Sequence, residues 1–134
     1  MTRRESREQA FALLFEMMFN DQPVEELAAA ASEARDTPVS SFALTLAAGT
    51  QAHLAELDEK IAAYSVKWSK ERISRVALSV MRLAVYEMLY EEGIPVSVSI
   101  NEAVELAKKY GGDEDAPFIN GILGSISREN PENV

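Results

Sequence analysis

No cysteine occurs among the 134 residues. That excludes disulfides, thiolate metal sites and a cysteine nucleophile, and it fits a cytoplasmic protein. The single histidine, His53, has no partner at a metal-ligand or nucleophile spacing, so a structural place on a helix is the expectation for it. No stretch reaches the ~18 apolar residues of a membrane span, and no charged-then-apolar leader opens the chain. Glycine-rich phosphate loops, a serine elbow and an HExxH motif are all missing. Asp113, Glu114 and Asp115 lack the alternation and distal glutamate of a calcium loop. Glu91 and Glu92 would diverge on a helix and make a poor acid/base pair. The expectation is a non-enzyme without metal or cofactor. Positive charge is short as well: 13 Lys and Arg against 22 Asp and Glu leave a net charge of −9. Bulk electrostatics therefore does not draw the chain to polyanions, and any nucleic-acid site has to be local.

What is present is helical periodicity. At 47% apolar residues the composition is that of one globular domain with a real core. Arg3 to Phe19 carries Ala10, Phe11, Leu14, Phe15 and Met18 on one side, and residues 24–34 form a shorter alanine-rich helix. Phe42 to Tyr64 reads as one long helix, after which Trp68 is the expected corner anchor. Ile73 to Tyr90 is apolar around most of its circumference and belongs at the centre of the domain. No strand pattern competes, so the chain is expected to be all-α, with six or seven helices in a single domain.

The stretch PVSVSINEAVELAKKYGGDEDAPFINGIL, residues 95–123, is the most explicit. Ser99 and Glu102 have the spacing of a capping box, with Val98 and Ala103 as a weak hydrophobic staple. Glu105 and Lys109 stand i,i+4, and Gly111 or Gly112 is suited to a left-handed helix end. Pro117 fits the first turn of a last helix with Phe118, Ile119, Ile122, Leu123 and Ile126 on its apolar face. Gly121 and Gly124 within it point to close approach by a neighbouring helix or partner.

With enzyme motifs absent, surface chemistry remains. Arg3, Arg4 and Arg7 place forked cationic donors beside Phe11 and Phe15, which suits single-stranded RNA through phosphate pairing and base stacking; taken alone, the three arginines are more simply explained as a solvated helix end. Lys60, Lys67, Lys70, Arg72, Arg75 and Arg82 form a second basic concentration, read either as a mixed solvated face or as a binding surface. Arg75, Ser79, Arg82 and Tyr86 line the least apolar strip of the central helix, with Glu87 nearby, and are the candidates for a protein partner. Tying helices together is the other role open to that strip.

Three blocks carry a family resemblance: RRESREQAFALLFEM at 3–17, RISRVALSVMRLAVYEML at 72–89 and IPVSVSINEAVELAKKYGGDEDAPFINGIL at 94–123. With its INEAVELAK and FING elements, the chain resembles the NusB family of transcription antitermination factors over nearly its whole length. The resemblance implies two helical subdomains packed across each other, here 3–66 and 67–128, with 129–134 as a frayed tail. It implies binding of boxA-type RNA in nascent ribosomal RNA, together with a NusE-type ribosomal small-subunit protein, within an RNA polymerase antitermination complex, as a monomer or homodimer. Carried over residue by residue, the RNA contacts fall on Arg3, Arg4, Arg7, Phe15, Tyr110, Glu114 and Phe118. Phe15 stands where many relatives have tyrosine, a change that keeps stacking. A NusB-like domain also opens certain ribosomal RNA cytosine methyltransferases, but this chain has no Rossmann-type glycine loop or catalytic cysteine and is not expected to methylate by itself. A self-associating helical protein is the remaining alternative.

Overall fold

The computed structural model describes residues 1–35, 38–65 and 73–129. Among them are seven helices and no strands: α1 (Arg3–Met17), α2 (Val24–Arg35), α3 (Ser41–Ala52), α4 (Leu54–Tyr64), α5 (Arg75–Tyr90), α6 (Val96–Tyr110) and α7 (Asp115–Arg128). Trp68, Lys67, Lys70, Arg72, the 66/67 subdomain boundary and the last five residues lie outside the described residues. None of the described helices is long and apolar enough to cross a membrane.

As its composition requires, α5 is the centre. Leu78, Val80, Met81, Leu83, Ala84, Val85 and Met88 are all buried, and the helix packs against α1, α3, α4, α6 and α7. Each fully buried Leu, Val or Met side chain contributes about 1.5–3 kcal/mol of hydrophobic stabilisation. The start of α5 is fixed by Ser74, whose Oγ accepts from the Ala77 amide at 2.9 Å. That Oγ also donates to Asp115 Oδ2, at 3.1 Å, which links the starts of α5 and α7.

The long helix expected over Phe42–Tyr64 is two helices. At His53 (φ −112°, ψ 19°) the chain leaves the helical region for one residue. The break accompanies a change of neighbours: α3 packs on α1, α2 and α5, whereas α4 keeps α5 and turns to α7. The His53 ring then stacks on Tyr90 with centroids 4.3 Å apart. Gly49, one turn before, lies under Tyr86 so closely that a Cβ would stand 2.2 Å from the tyrosine Cζ.

Three expectations for residues 95–123 are corrected. First, α6 begins at Val96, three residues before Ser99, with Pro95 at the cap. The Ser99 amide already donates to Pro95 O, so it is not available to Glu102, and Ser99 is buried. No capping box forms there, and Val98 is exposed rather than stapled. The S/T-x-x-E box lies instead at the chain start: Thr2 Oγ1 accepts from the Glu5 amide and Glu5 Oε1 from the Thr2 amide, both at 3.0 Å. Second, Gly111 ends α6 in an extended conformation rather than a left-handed one. Its missing side chain matters because a Cβ would meet Asp115 Oδ2 at 2.5 Å. Third, Gly121 has nothing within 4 Å of a would-be Cβ and Gly124 only Arg128 Nη1, at 3.5 Å, so close helix packing does not account for them.

Candidate nucleic-acid interface

The amino end of α1 runs beside the carboxyl half of α6, and most of the anticipated RNA residues meet along this seam. Arg3 lays its guanidinium 3.7 Å from the centroid of the Phe42 ring. Arg4 has a side chain 61% exposed and reaches Glu102 with a two-pronged contact, Nη2–Oε2 at 2.8 Å and Nε–Oε1 at 3.2 Å. The Glu102 hydrogen bond and charge raise the Arg4 pKa.

Arg7 departs from expectation. Its side chain is buried, and Nε and Nη2 donate to Glu87 at 2.9–3.1 Å. Ser99 Oγ donates to the same carboxylate at 3.2 Å, and Glu102 lies 3.8 Å from Arg7 Nη1. This arginine ties α1 to α5 and α6 and does not offer its fork to solvent. A 3.6-residue periodicity cannot distinguish a buried, paired arginine from a solvated one when the partner lies on a distant helix.

Aromatic rings continue the seam. Tyr110 is exposed and packs on Phe11 with centroids 5.1 Å apart; Phe11 meets Phe15 at 5.8 Å, and Phe15 meets Phe19 at 5.2 Å. The guanidinium of Arg75 covers the exposed Phe19 ring at 4.7 Å. A row of four rings therefore runs along α1 from α6 to the start of α5. Phe118 is half-buried against the core, and Glu114 is an exposed residue at the start of α7.

Glu8, Glu102, Lys109 and Phe19 belong to this surface and were not singled out for it from the sequence. Lys109 does not make its i,i+4 pair with Glu105. Its Nζ donates to both Glu8 oxygens, at 2.8 and 3.0 Å, while Glu105 takes Lys108 at 3.7 Å. Tyr110 Oη also donates to Glu8, at 3.0 Å. The hydrogen bond from Lys109 is the main cause that holds the Glu8 carboxyl below the usual glutamate range, and the same contact raises the Lys109 pKa. Their partners lie about a hundred positions away, beyond the reach of local pattern.

The candidate partner strip divides. Ser79 is fully buried with Oγ 3.2 Å from Met18 Sδ, Arg82 is buried in a fork to Asp58 at 2.7 and 2.8 Å, and Glu87 holds Arg7. These three tie helices together and are not available to a partner protein, which corrects the expectation for them. Tyr86 is half-buried against Gly49, and Arg75 is exposed beside Phe19.

The sequence profile of the NusB family matches residues 4–128. The transcription antitermination protein NusB of Natranaerobius thermophilus is 40% identical over 134 residues, covering 96% of each chain. That of Bacillus subtilis is 41% identical over 129 residues, covering 96% of this chain and 97% of its own. Among solved structures, T. maritima NusB superposes with a TM-score of 0.84 at 36% identity, covering 96% of this chain and 92% of its own. The fold is also shared, at TM-score 0.83 and 24% identity, by a chain in a crystal structure of the antitermination factors NusB and NusE with dsRNA, covering 96% of this chain and 99% of its own.

Proposed function

This chain belongs to the NusB family of transcription antitermination proteins, a non-enzymatic family, and from that premise we propose that it binds boxA-type single-stranded RNA in nascent ribosomal RNA transcripts together with a NusE-type ribosomal small-subunit protein. The observation that carries the RNA reading is the exposed Tyr110 ring, backed by the buried Phe11, beside Arg3, Arg4 and Lys109, with the half-buried Phe15 and the exposed Phe19 continuing the row along α1. Bases stack on ring faces of any sequence while cations track the phosphates. Glu114 immediately precedes α7 and Phe118 lies on it; this helix follows the turn after Tyr110 and packs on α6.

Charge decides the division of labour. A chain at −9 overall, with a few cations at the site, neutralises few phosphates; each single-strand contact contributes about −0.7 to the salt slope. A basic partner therefore supplies part of the RNA surface and most of the affinity. The exposed Phe19–Arg75 pair, at the far end of the ring row, is the partner-facing part of the molecule in this reading. RNA titration with and without the NusE-type protein, over a salt series, tests it. Tighter binding with the partner and a steeper slope are expected; equal affinity in both would sink the shared-surface reading.

A further inference from the structure

The exposed cations Arg4 and Lys109 are each held by a carboxylate in an open groove of about 410 Å³ between α1 and α6. Arg4 grips Glu102, and Lys109 grips both oxygens of Glu8. Each carboxylate also has a second partner that keeps it in place. Glu102 lies 3.8 Å from the buried Arg7, and its side chain is only 11% exposed; Glu8 accepts from Tyr110 Oη at 3.0 Å. The cations are on the loose side of each pair, with side chains 61% and 58% exposed. Arg4 and Lys109 can thus swing outward while both glutamates stay behind.

We propose that Glu102 and Glu8 are selectivity residues of the RNA site: a phosphate must take Arg4 and Lys109 from them before it gains anything. This rests on the RNA-binding reading above. A guanidinium fork fits carboxylate and phosphate alike, so exchanging one for the other yields a small net gain. The abandoned carboxylate then remains near the incoming phosphate and repels it. Contact with the backbone alone, which any RNA provides, is weakened in this way. Strands whose bases also stack on the exposed Tyr110 ring keep that part of their affinity undiminished. The glutamates lower the affinity for all RNA and raise the ratio between matching and unrelated sequences.

The test uses the full chain, with the NusE-type protein present and absent, and fluorescence anisotropy on a boxA-type oligonucleotide and a scrambled one of equal length. Glu102→Gln and Glu8→Gln keep side-chain shape and remove the charge. Each variant is expected to bind about threefold tighter at low salt, with a slope steeper by ~0.7, the scale of one freed phosphate contact. The gain should be larger for the scrambled strand, so the specificity ratio falls. Because Glu102 also neighbours Arg7, thermal unfolding is measured alongside, and Glu8→Gln decides the matter if Glu102→Gln lowers the melting temperature. Wild-type binding of boxA-type RNA with no tightening in a folded variant overturns the latch alone. Absence of binding by every chain, even with the basic partner, overturns the RNA reading and the latch with it.

Discussion

Arg7 on α1 and Glu87 on α5, 80 residues apart in sequence, meet as a buried pair with Nη2 and Oε1 2.9 Å apart. Ser99 Oγ joins them from α6, so one carboxylate gathers three helices. Removing one member of such a pair strands the other charge away from water, which is worse than never burying it. Arg7→Ala should therefore lower unfolding free energy by about 3–5 kcal/mol, read by urea denaturation. Arg3→Ala and Arg4→Ala should leave stability nearly unchanged and weaken RNA binding. An Arg7→Ala chain as stable as wild type would return this arginine to the list of direct RNA contacts.

Gly49 and Tyr86 make a second dependent pair. With a would-be Cβ 2.2 Å from the tyrosine Cζ, Gly49→Ala forces the ring or α3 to shift. The expected cost is about 1–3 kcal/mol of overpacking. Tyr86→Ala should itself destabilise by leaving a cavity, but in that background the added methyl has room, so the double variant should be more stable than the sum of the two losses predicts. A double-mutant cycle in urea reads the coupling directly; strict additivity would mean that the ring moves aside freely.

These two pairs also show where sequence stops being informative. The helical segments among the described residues are legible because their apolar residues recur at helical spacing, though α3 and α4 read as one, and α5 announces its central position by being apolar on nearly every side. What the pattern misses is set by partners distant in sequence. The break at His53 lets α3 reach α1 and α2 and α4 reach α7 while both stay on α5. Ser99 and Glu102 mimic a capping box locally, while their actual partners are Glu87 for the first and Arg4 and Arg7 for the second. In the site, Arg3, Arg4 and Phe15 were legible as surface chemistry beside aromatics, whereas Tyr110 entered only through the family resemblance. Glu8 and Lys109 were not, because a plausible i,i+4 neighbour, Glu105, hid the real pairing.

The Glu8–Lys109 tie carries a defined pH dependence. Glu8 has a folded pKa below its unfolded one, so its contribution is present above about pH 4.3, the ordinary glutamate value, and is lost as pH falls through the depressed folded value. Lys109 is raised, so its contribution is full below about pH 10.4 and is lost as pH rises through the folded value. Between those limits the α1–α6 tie is pH-independent. Denaturation of wild type and Glu8→Gln at neutral pH and near pH 3 checks this: any stability gap at neutrality should shrink in acid. A gap that widens there would put the main support of Glu8 somewhere other than Lys109 and Tyr110.

Tyr110 separates ring chemistry from hydroxyl chemistry. Its ring faces Phe11 and remains exposed, while its hydroxyl donates to Glu8. If bases stack on the ring, Tyr110→Ala should weaken binding of boxA-type RNA by about 1–3 kcal/mol for a stacked base. Tyr110→Phe keeps the ring and removes one of the two holds on Glu8, leaving that carboxylate freer to follow Lys109. The phenylalanine variant should then bind nearly as tightly as wild type to boxA-type RNA, with thermal stability close to unchanged because the lost bond is exposed. Anisotropy titrations of the three proteins in parallel decide the point. Equal losses in the alanine and phenylalanine variants would assign the RNA contact to the hydroxyl and remove stacking at this position.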